Sequence, residues 1–341
     1  MAPAPEAFSS PAQIAILGAG SWGTALAIQF ARAGHNTALW GRDPAHVRTM
    51  ASERRNARYL PDAAFPASLR LDVDLHRALQ ARDVLIAVPS HALRSSLEEC
   101  QPYLREDARV AWATKGFELT TGLLPHEVAG EVLGPKVPLA VISGPTFAKE
   151  VGAGLPTAMT IAAQDSLFAR ELAQSISAHN FRAYTSDDIV GVEVGGAVKN
   201  VLAIGAGISD GLGYGANTRI ALIARGLAEM MRLGVALGAQ KETFMGLAGL
   251  GDLVLTCTDN LSRNRRFGLA LAEGQSVTAA QESIGQVVEG FYAAKALRHV
   301  ASRKHVEMPI SEQIYRILHE GVSPEAATKE LMSRALKSES L

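Results

Sequence analysis

The chain has 341 residues, which is more than one small hydrophobic core needs and fits about two domains. Apolar residues make up 48% and charged residues 20% of the sequence, as in ordinary soluble globular proteins, and the formal net charge is -1. This balance excludes a global field that attracts nucleic acid or an anionic membrane, so we predict no nucleic-acid partner and only local recognition of phosphate.

The N-terminal segment and the two cysteines indicate a protein of the cytoplasm. Residues 1–12 are rich in Pro and Ala and show neither the basic nor the apolar region of a signal peptide, so we predict a disordered tail there. Cys100 and Cys257 lie far apart and match no metal-binding or disulfide spacing. We therefore expect two reduced thiols and no metal site.

Short apolar runs alternate with helical stretches in the first half of the chain. The predicted strands cover residues 14–17, 37–40, 84–88, 110–113, 139–142, 158–162 and 181–184. An alanine-rich helix is predicted over 24–33, between the first two strands. Strands that are separated by helices need crossover connections, so the pattern predicts an α/β domain with a mostly parallel sheet.

The sequence changes character near residue 190. Strand signals end there, and helical periodicity dominates the rest of the chain, as in TRIALIARGLAEMMRLGVALG. We therefore predict a first domain over 13–189 and an all-helical second domain over 190–341.

The most apolar run of the chain, residues 190–212, has charged residues inside it. Glu193, Lys199 and Asp210 interrupt it before about 18 uninterrupted apolar residues accumulate, so we expect no membrane span. A lysine in the middle of a helix that has the composition of a buried one needs an explanation, because an unpaired buried charge is costly.

A glycine-rich loop follows the first predicted strand. Gly18, Gly20 and Gly23 form G-x-G-x-x-G between that strand and the first helix. In this context the pattern is typical of dinucleotide binding, because the glycines permit a tight turn, close approach of the backbone to a pyrophosphate and close packing of helix on strand. The helix N-terminus supplies free N–H donors for the phosphates.

The end of the second strand bears on which dinucleotide is bound. An acidic residue is expected there for NAD, but the chain reads Trp40-Gly41-Arg42-Asp43-Pro44. Arg42 suits a 2′-phosphate, so we predict a preference for NADP(H), and use of NAD(H) stays open. Asp43 is interpreted as the N-cap of the next helix, with Pro44 at its first position.

Four polar stretches need a common explanation. They are AWATKGFE with Lys115, SGPTFAKE with Gly144, Thr146 and Lys149, VKNV with Lys199, and residues 247–268 with Asp252, Ser262, Arg263, Asn264, Arg265 and Arg266. Each alone reads as solvated loop residues, a helix cap or a lysine that reaches out to solvent. Together they supply cations and hydroxyls for a small anionic substrate and a proton donor for its carbonyl.

Lys199 is the candidate proton donor. Hydride reduction of a ketone leaves an alkoxide that must be protonated. Desolvation in an apolar site lowers the pKa of a lysine towards neutrality, so its side chain serves as acid in one direction and base in the other. We predict that Asp252 lies beside Lys199 and orients it.

Six motifs, in this order, resemble those of the bacterial NAD(P)-dependent glycerol-3-phosphate dehydrogenases. They are GAGSWGTALA, ATKGFE, SGPTFAKE, VGGAVKNVLAIGAGI, GLGDLVLTCT and SRNRRFG. The resemblance implies an α/β plus all-α fold class, in which a Rossmann-like, doubly wound N-terminal domain is followed by an all-helical C-terminal domain. It also implies interconversion of sn-glycerol 3-phosphate and dihydroxyacetone phosphate for phospholipid synthesis, in the cytoplasm and by a homodimer.

The resemblance also implies roles for individual residues. The cofactor would contact Gly18, Gly20, Ser21, Trp22, Gly23, Arg42, Lys115, Ala148, Arg263, Val287 and Glu289. The substrate would contact Lys115, Gly144, Thr146, Lys199, Asp252, Ser262, Arg263 and Asn264, with Lys199 catalytic and Arg263 near the phosphate. By itself Glu289 reads as an acid at a helix N-terminus, so its assignment rests on the resemblance.

Two other functions stay open from the residues alone. One is a two-domain reductase for a different small acid, such as a β-hydroxyacid or ketopantoate. A carboxylate needs one arginine fork, whereas a phosphate dianion favours several convergent cations and hydroxyls, so the SRNRRF stretch favours phosphate. The other is a protein that senses NADPH without catalysis, and Lys199 with Asp252 argues against it because a sensor needs no proton donor.

Overall fold

The first half of the chain contains a sheet of eight strands and a small hairpin of two strands. The computed structural model describes residues 11–335 and 338. In chain order the strands are β1 Ile14–Leu17, β2 Thr37–Trp40, β3 Arg55–Asn56, β4 Leu60–Ala64, β5 Leu69–Asp72, β6 Asp83–Ile86, β7 Arg109–Trp112, β8 Leu139–Ser143, β9 Thr157–Ala163 and β10 Phe181–Ser186. Strands β3 and β4 form a separate antiparallel hairpin. The predicted tail falls almost wholly on residues 1–10, outside the described part.

The strand order places a crevice at the middle of the sheet. The order is β10-β9-β8-β7-β6-β1-β2-β5, and every neighbouring pair is parallel except β8 with β9. The chain therefore leaves β1 towards one edge and returns through β6 towards the other. Ligands bind outside the carboxyl ends of the strands at such a switch point, here between β1 and β6.

Seven helices cover the two faces of this sheet. They are α1 Ser21–Arg32, α2 Pro44–Glu53, α3 Leu75–Ala78, α4 Ser90–Cys100, α5 Pro125–Leu133, α6 Ala148–Ala153 and α7 Ser166–Ile176. The predicted N-cap is present, because the Asp43 carboxylate accepts hydrogen bonds from the N–H groups of Ala45 at 2.9 Å and His46 at 3.3 Å. Buried apolar clusters lie on both faces of the sheet.

The seven predicted strands are all present, with ends shifted by a few residues, and the mostly parallel α/β architecture is confirmed. The prediction missed β5 and the β3–β4 hairpin. Strand β5 reads LRLD and lies at the sheet edge, and its four positions show no alternation, since the two end residues are buried and the two middle residues are half-buried. Such a short edge strand carries little apolar signal.

The rest of the described chain is helical. After β10 ends, the helices are α8 Ile189–Gly211, α9 Gly215–Ala236, α10 Asp252–Thr258, α11 Arg263–Ala272, α12 Val277–Ile284, α13 Glu289–Arg303, α14 Pro309–Glu320 and α15 Pro324–Met332. Short 3₁₀ turns lie at Gln101–Tyr103 and Lys241–Met245, and a π turn lies at Leu247–Gly251. The all-helical second half is thus confirmed over its described residues.

Helix α8 is the core of the helical part. It is buried along almost its whole length and packs against α9, α10, α11 and α13. Glycines allow this contact to be close: a Cβ added at Gly207 would lie 2.0 Å from the carbonyl oxygen of Arg265. By length and composition α8 is the one described helix that is apolar enough to cross a membrane, but 94% of its most apolar window is buried inside the protein, as in a core helix.

Candidate functional site

The glycine-rich loop joins β1 to α1 at the switch point of the sheet. Gly18 has a φ of +117°, and a Cβ there would lie 2.6 Å from the carbonyl oxygen of Ala87. A Cβ at Gly23 would lie 1.9 Å from the carbonyl oxygen of Gly18, so helix and strand require glycine here. A Cβ at Gly20 would meet no atom of the described residues within 4 Å. The loop is therefore packed on one side and open on the other.

The open side of the loop presents hydrogen-bond donors without partners. Within the described part of the chain, the backbone N–H groups of Gly20 and Ser21 meet no acceptor, and α1 has no acidic residue in its first turn. The buried indole Nε1 of Trp22 has no hydrogen-bond partner either. Unpaired donors at a helix N-terminus suit phosphate oxygens, so the loop fits the pyrophosphate of a dinucleotide.

Arg42 lies where the 2′-position of an adenosine ribose is expected. It follows β2, beside the glycine loop, and is exposed. Among the described residues it forms no ion pair, so its guanidinium is available to a phosphate. Asp43 is occupied as the cap of α2 and does not supply the carboxylate that binds a ribose in NAD enzymes.

Lys199, Asp252 and Thr256 form a buried hydrogen-bonded group between α8 and α10. The ammonium of Lys199 donates to Oδ1 of Asp252 at 2.5 Å and to Oγ1 of Thr256 at 3.1 Å. Lys199 is 7% and Asp252 is 1% exposed. The Thr256 hydroxyl donates its own proton to the Asp252 carbonyl oxygen at 2.6 Å, so towards Lys199 it acts as acceptor. The predicted contact between Lys199 and Asp252 is present.

A second lysine binds the same carboxylate. The Lys115 ammonium donates to Oδ2 of Asp252 at 2.7 Å, so one carboxylate lies between two ammonium groups. Lys115 follows β7, and its loop is anchored in the other half of the protein, since Phe117 is buried in the apolar cluster around α8. Lys115 of the sheet domain and Asp252 of the helical domain therefore pair where the two domains meet.

Burial and charge act in opposite directions on the pKa values of this group. Burial lowers the pKa of the Lys199 ammonium to about 8, although the Asp252 charge acts to raise it and the Lys115 charge acts to lower it. Burial acts to raise the pKa of the Asp252 carboxyl, but the two ammonium groups outweigh it and hold that pKa below its usual value. Asp252 is therefore ionised, and Lys199 changes protonation near neutral pH.

The turn after β8 lies against this group. A Cβ added at Gly196 of α8 would lie 3.3 Å from Cγ of Lys115 and 3.4 Å from Oγ of Ser143. A Cβ at Gly251 would lie 3.6 Å from Cγ of Pro145, so the GPT turn approaches α10 as well. Its members Gly144 and Thr146 are joined by a hydrogen bond of 3.2 Å from the Thr146 hydroxyl to the Gly144 carbonyl.

The remaining residues of SGPTFAKE divide between site and surface. Ala148 is the first residue of α6, directly after this turn. Lys149 points away, with a 65% exposed side chain 3.7 Å from Asp62 at the surface. Lys149 is thus a solvated lysine, and Lys115 and Lys199 are the lysines that meet at the carboxylate.

The start of α11 carries two predicted residues, of which Asn264 contacts Asn200, the neighbour of Lys199. The Asn264 amide donates to Oδ1 of Asn200 at 3.0 Å and accepts from the N–H of Gly290 at 2.9 Å. Ser262 is the N-cap of α11, and its hydroxyl oxygen accepts from the Arg265 N–H at 3.2 Å. Ser262 keeps its hydroxyl proton for another acceptor.

The three arginines of SRNRRFG do not converge, which corrects the expectation from the sequence. Arg263 is half-buried and donates to Gln286 at 3.3 Å. Arg265 is buried and pairs with Asp210 at 2.5 Å, and Arg266 is exposed. Successive helical positions point about 100° apart, so three neighbouring side chains on α11 cannot face one point. Of these three arginines, only Arg263 contacts the loop that contains Gln286.

The loop before α13 brings Val287 and Glu289 to the same region. Val287 is 42% exposed, and Glu289 is the first residue of α13. The Asn200 amide donates to the Glu289 carboxylate at 3.2 Å, so Glu289 is tied to α8 next to Lys199. Its reading as an acid at a helix N-terminus is correct, and it also has this specific partner.

Sequence reasoning missed Thr256 and Asn200. Thr256 lies one helical turn after Asp252, a spacing that places both on one face of α10, so the i, i+4 rule was an available signal. Asn200 follows Lys199 directly but turns to Asn264 and Glu289, and only packing shows this. Across residues 11–335 and 338, no group of three or more His, Cys, Asp or Glu side chains is arranged to hold a metal ion.

The comparisons with known proteins agree over almost the whole chain. The models of the NAD-dependent glycerol-3-phosphate dehydrogenase N-terminus and C-terminus match residues 13–169 and 188–329. The glycerol-3-phosphate dehydrogenase (NAD(P)+) of Yersinia pestis strain Pestoides F is 57% identical over 335 residues, which cover 98% of this chain and 99% of the relative.

Solved structures show the same likeness. The glycerol-3-phosphate dehydrogenase from Coxiella burnetii aligns with a TM-score of 0.91 at 50% identity and covers 95% of this chain and 99% of its own. A ketopantoate reductase from Ralstonia eutropha JMP134 aligns with a TM-score of 0.58 at 18% identity, over 92% of this chain and 99% of its own. At that identity the second likeness concerns the fold alone.

Proposed function

The chain belongs to the NAD-dependent glycerol-3-phosphate dehydrogenase family, and from this membership we infer that it interconverts sn-glycerol 3-phosphate and dihydroxyacetone phosphate. It is an NAD(P)-dependent oxidoreductase. The observation that carries a catalytic role is the Lys199–Asp252–Lys115 group, because a protein that only binds a dinucleotide does not need a buried lysine with a pKa near neutrality.

Lys199 is the proposed general acid of ketone reduction. Its ammonium has three N–H groups, of which Asp252 and Thr256 accept two, so one N–H is left for the substrate oxygen. As a C–H bond forms at the carbonyl carbon, Lys199 donates this proton to the developing alkoxide. In the reverse direction the neutral amine accepts the hydroxyl proton of glycerol 3-phosphate, so the same atom, Nζ, serves both directions.

Asp252 and Lys115 act on this proton transfer through charge. The Asp252 carboxylate orients the Lys199 ammonium and stabilises its charged form, whereas Lys115 opposes that charge. A carboxylate shared by two lysines leaves a net positive group of the kind that attracts an anionic substrate. We propose that Lys115 also contacts both substrate and cofactor, since it lies at the carboxyl end of a sheet strand.

The glycine loop is the proposed cofactor site. Gly18, Gly20 and Gly23 shape it, Ser21 and Trp22 follow it, and their free donors fit a pyrophosphate. A reduced nicotinamide held at this site would supply the hydride for the carbonyl carbon. Exposed Arg42 supports our proposal that NADP(H) is preferred over NAD(H). Ala148, Arg263, Val287 and Glu289 complete the proposed contacts.

We propose that the residues at the start of α11 bind the phosphate end of the substrate. Ser262 keeps a free hydroxyl proton, Arg263 is the one arginine of its stretch on this side, and Asn264 is fixed by Asn200 and Gly290. Gly144 and Thr146 bound the site from the sheet domain. Lys115 supplies a second positive charge beside Arg263, so the cations for a dianion come from two different parts of the chain.

We further propose the cellular setting that the resemblance implies. The enzyme supplies glycerol 3-phosphate for phospholipid synthesis in the cytoplasm, and two buried free thiols suit a reducing compartment. We propose a homodimer, as the family resemblance implies. Light scattering of the purified protein tests this oligomeric state.

The test of the proposed function is a direct assay. Purified protein is mixed with NADPH and dihydroxyacetone phosphate, with NADH and ketopantoate in parallel wells, and absorbance of the reduced nicotinamide is followed. Oxidation only with the phosphorylated ketone establishes the substrate, and the two rates rank the cofactors. Tight NADPH binding without oxidation in any well would contradict the proposed enzymatic activity and support a protein that senses NADPH.

A further inference from the structure

Asn56 is a buried polar residue that belongs to none of the six family motifs. It is the second residue of β3, in the small hairpin that follows α2, and it is 0% exposed. The hairpin is held between α1 and α6: a Cβ at Gly152 of α6 would lie 2.9 Å from Cδ2 of Leu60 and 3.0 Å from Cβ of Ala63. Asn56 therefore has a fixed position next to α1.

The Asn56 amide binds the glycine-rich loop directly. Its Nδ2 donates to the carbonyl oxygen of Ala19 at 3.0 Å and to the hydroxyl of Thr24 at 2.8 Å. Its Oδ1 accepts from the Tyr59 N–H at 3.2 Å, which orients the amide. Ala19 is the residue between the first two glycines of the loop, and Thr24 lies in the first turn of α1. One side chain thus connects the loop, the helix and the hairpin.

The contact to Ala19 determines the direction of a neighbouring donor. In a planar trans peptide the C=O and the following N–H point in opposite directions. Because the Ala19 carbonyl points to Asn56, the Gly20 N–H points away from the hairpin. That N–H is one of the donors of the loop that have no acceptor among the described residues. Asn56 therefore sets the orientation of a group that fits a phosphate oxygen.

We propose that Asn56 is a positioning residue, which holds the glycine-rich loop in the shape that binds the cofactor pyrophosphate. The inference rests on the proposed function in that it takes this loop as the dinucleotide site. Asn56 acts through the backbone and does not touch the reacting atoms. Its loss should weaken NADPH and NADH equally, because both contain the pyrophosphate, and should leave the KM of the ketone unchanged.

The test compares wild type with three variants of the full-length protein. Asn56→Ala removes the amide. Asn56→Asp keeps the shape and the oxygen that accepts from Tyr59 but removes both N–H donors. Gln29→Ala is the matched control, since the buried Gln29 amide of the same helix α1 donates to the Ile176 carbonyl at 2.9 Å and has no contact with the loop.

Two measurements are made. Calorimetry gives the dissociation constants of NADPH and NADH, and amide hydrogen exchange of residues 18–23 is followed in the cofactor-free proteins. We expect both dissociation constants to rise about tenfold in the Asn56 variants, with faster exchange in the loop, and to stay within about twofold of wild type in Gln29→Ala.

Three outcomes decide the proposal. Dissociation constants within about twofold of wild type in a folded Asn56 variant overturn it, as does an equal loss in Gln29→Ala. If Asn56→Ala does not fold, amide exchange of the loop in Asn56→Asp is used in its place, and exchange as slow as in wild type overturns the proposal. This measurement is made without cofactor, so repulsion between the added charge and the phosphates does not affect it. Wild type that binds both dinucleotides but reduces no ketone contradicts the proposed function and leaves this binding test valid.

Discussion

Glu193 in α8 accepts a hydrogen bond of 2.9 Å from the indole Nε1 of Trp112 in β7, so a buried carboxylate joins the core helix to the sheet. The same carboxylate accepts from the N–H of His126 at 2.9 Å and contacts its ring Nδ1 at 2.5 Å. Burial raises the pKa of Glu193, and the bonds from His126 and Trp112 act against this rise. A polar contact with a buried carboxylate at its centre thus joins the two halves of the protein.

Glu193→Ala should destabilise the protein by about 3 kcal/mol, because it leaves the Trp112 indole and the His126 N–H buried without an acceptor. Urea unfolding followed by fluorescence measures this loss. Glu98→Ala, at an exposed position of α4, is the control and should change the free energy of unfolding by less than about 0.5 kcal/mol. Equal stabilities of the two variants would contradict a role for Glu193 in joining the halves.

Lys199→Ala should lower the turnover of ketone reduction by a factor of roughly a hundred or more, since it removes the proposed proton donor. The dissociation constant of NADPH should stay within about twofold, because Lys199 lies on α8 and not in the glycine loop. Steady-state assays and calorimetry give both values. Lys149→Ala, at the exposed lysine near Asp62, should turn over like wild type. Near-normal turnover of Lys199→Ala removes this residue from the mechanism.

The pH dependence should differ in sign between the two directions. Reduction needs the protonated Lys199, whose pKa is about 8, so kcat/KM for dihydroxyacetone phosphate should fall as pH rises above about 8. Oxidation of glycerol 3-phosphate needs the neutral amine, so its kcat/KM should rise through the same pH. Profiles are measured in both directions at constant ionic strength. Profiles that break in the same direction would exclude a single group with both roles.

Asp252→Asn should move the break of the reduction profile to a lower pH. The Asp252 charge raises the pKa of Lys199, whereas burial and Lys115 lower it, so removal of the charge leaves only the lowering effects. The measurement is kcat/KM against pH for the variant and for Asp62→Asn, an exposed aspartate that serves as control. A break at the wild-type pH would show that Asp252 does not act on Lys199 through its charge.

Arg42→Ala should weaken NADPH binding about tenfold or more and NADH binding little, because only NADPH has the 2′-phosphate that this guanidinium is proposed to bind. Dissociation constants of both dinucleotides are measured by calorimetry. Arg48→Ala, at an exposed arginine on α2, tests whether loss of any nearby positive charge has the same effect and should change neither value by more than about twofold. Equal losses of NADPH and NADH in Arg42→Ala would mean that Arg42 does not distinguish them.

The strands, the glycine loop and the all-helical second half were predictable because each depends on local pattern. A strand-G-x-G-x-x-G-helix unit has one common geometry, and an apolar helix of 23 residues with glycines, such as α8, has to be buried. Lys199 and Asp252 were predictable as partners because two opposite charges in apolar surroundings need each other. Short edge strands such as β5 carry too few apolar residues for the same reasoning.

The partners of the other charges depended on packing. Arg263, Arg265 and Arg266 lie within four consecutive residues, and the turn of the helix directs them to Gln286, to Asp210 and to solvent. Asn56 reaches the glycine loop from 37 residues away in the chain, and nothing near it in sequence indicates that contact.

By itself, the sequence determined the fold class, and it predicted the glycine loop as the dinucleotide site and Lys199 as the proton donor. These follow from periodicity, from spacing and from the cost of burying a charge, which are properties of short segments. Only the tertiary structure decided that Lys115 and Lys199 share the carboxylate of Asp252, that Thr256 accepts from Lys199 and that Asn56 holds the loop. Hydrogen bonds act over about 3 Å, so which donor meets which acceptor is set by how the elements pack.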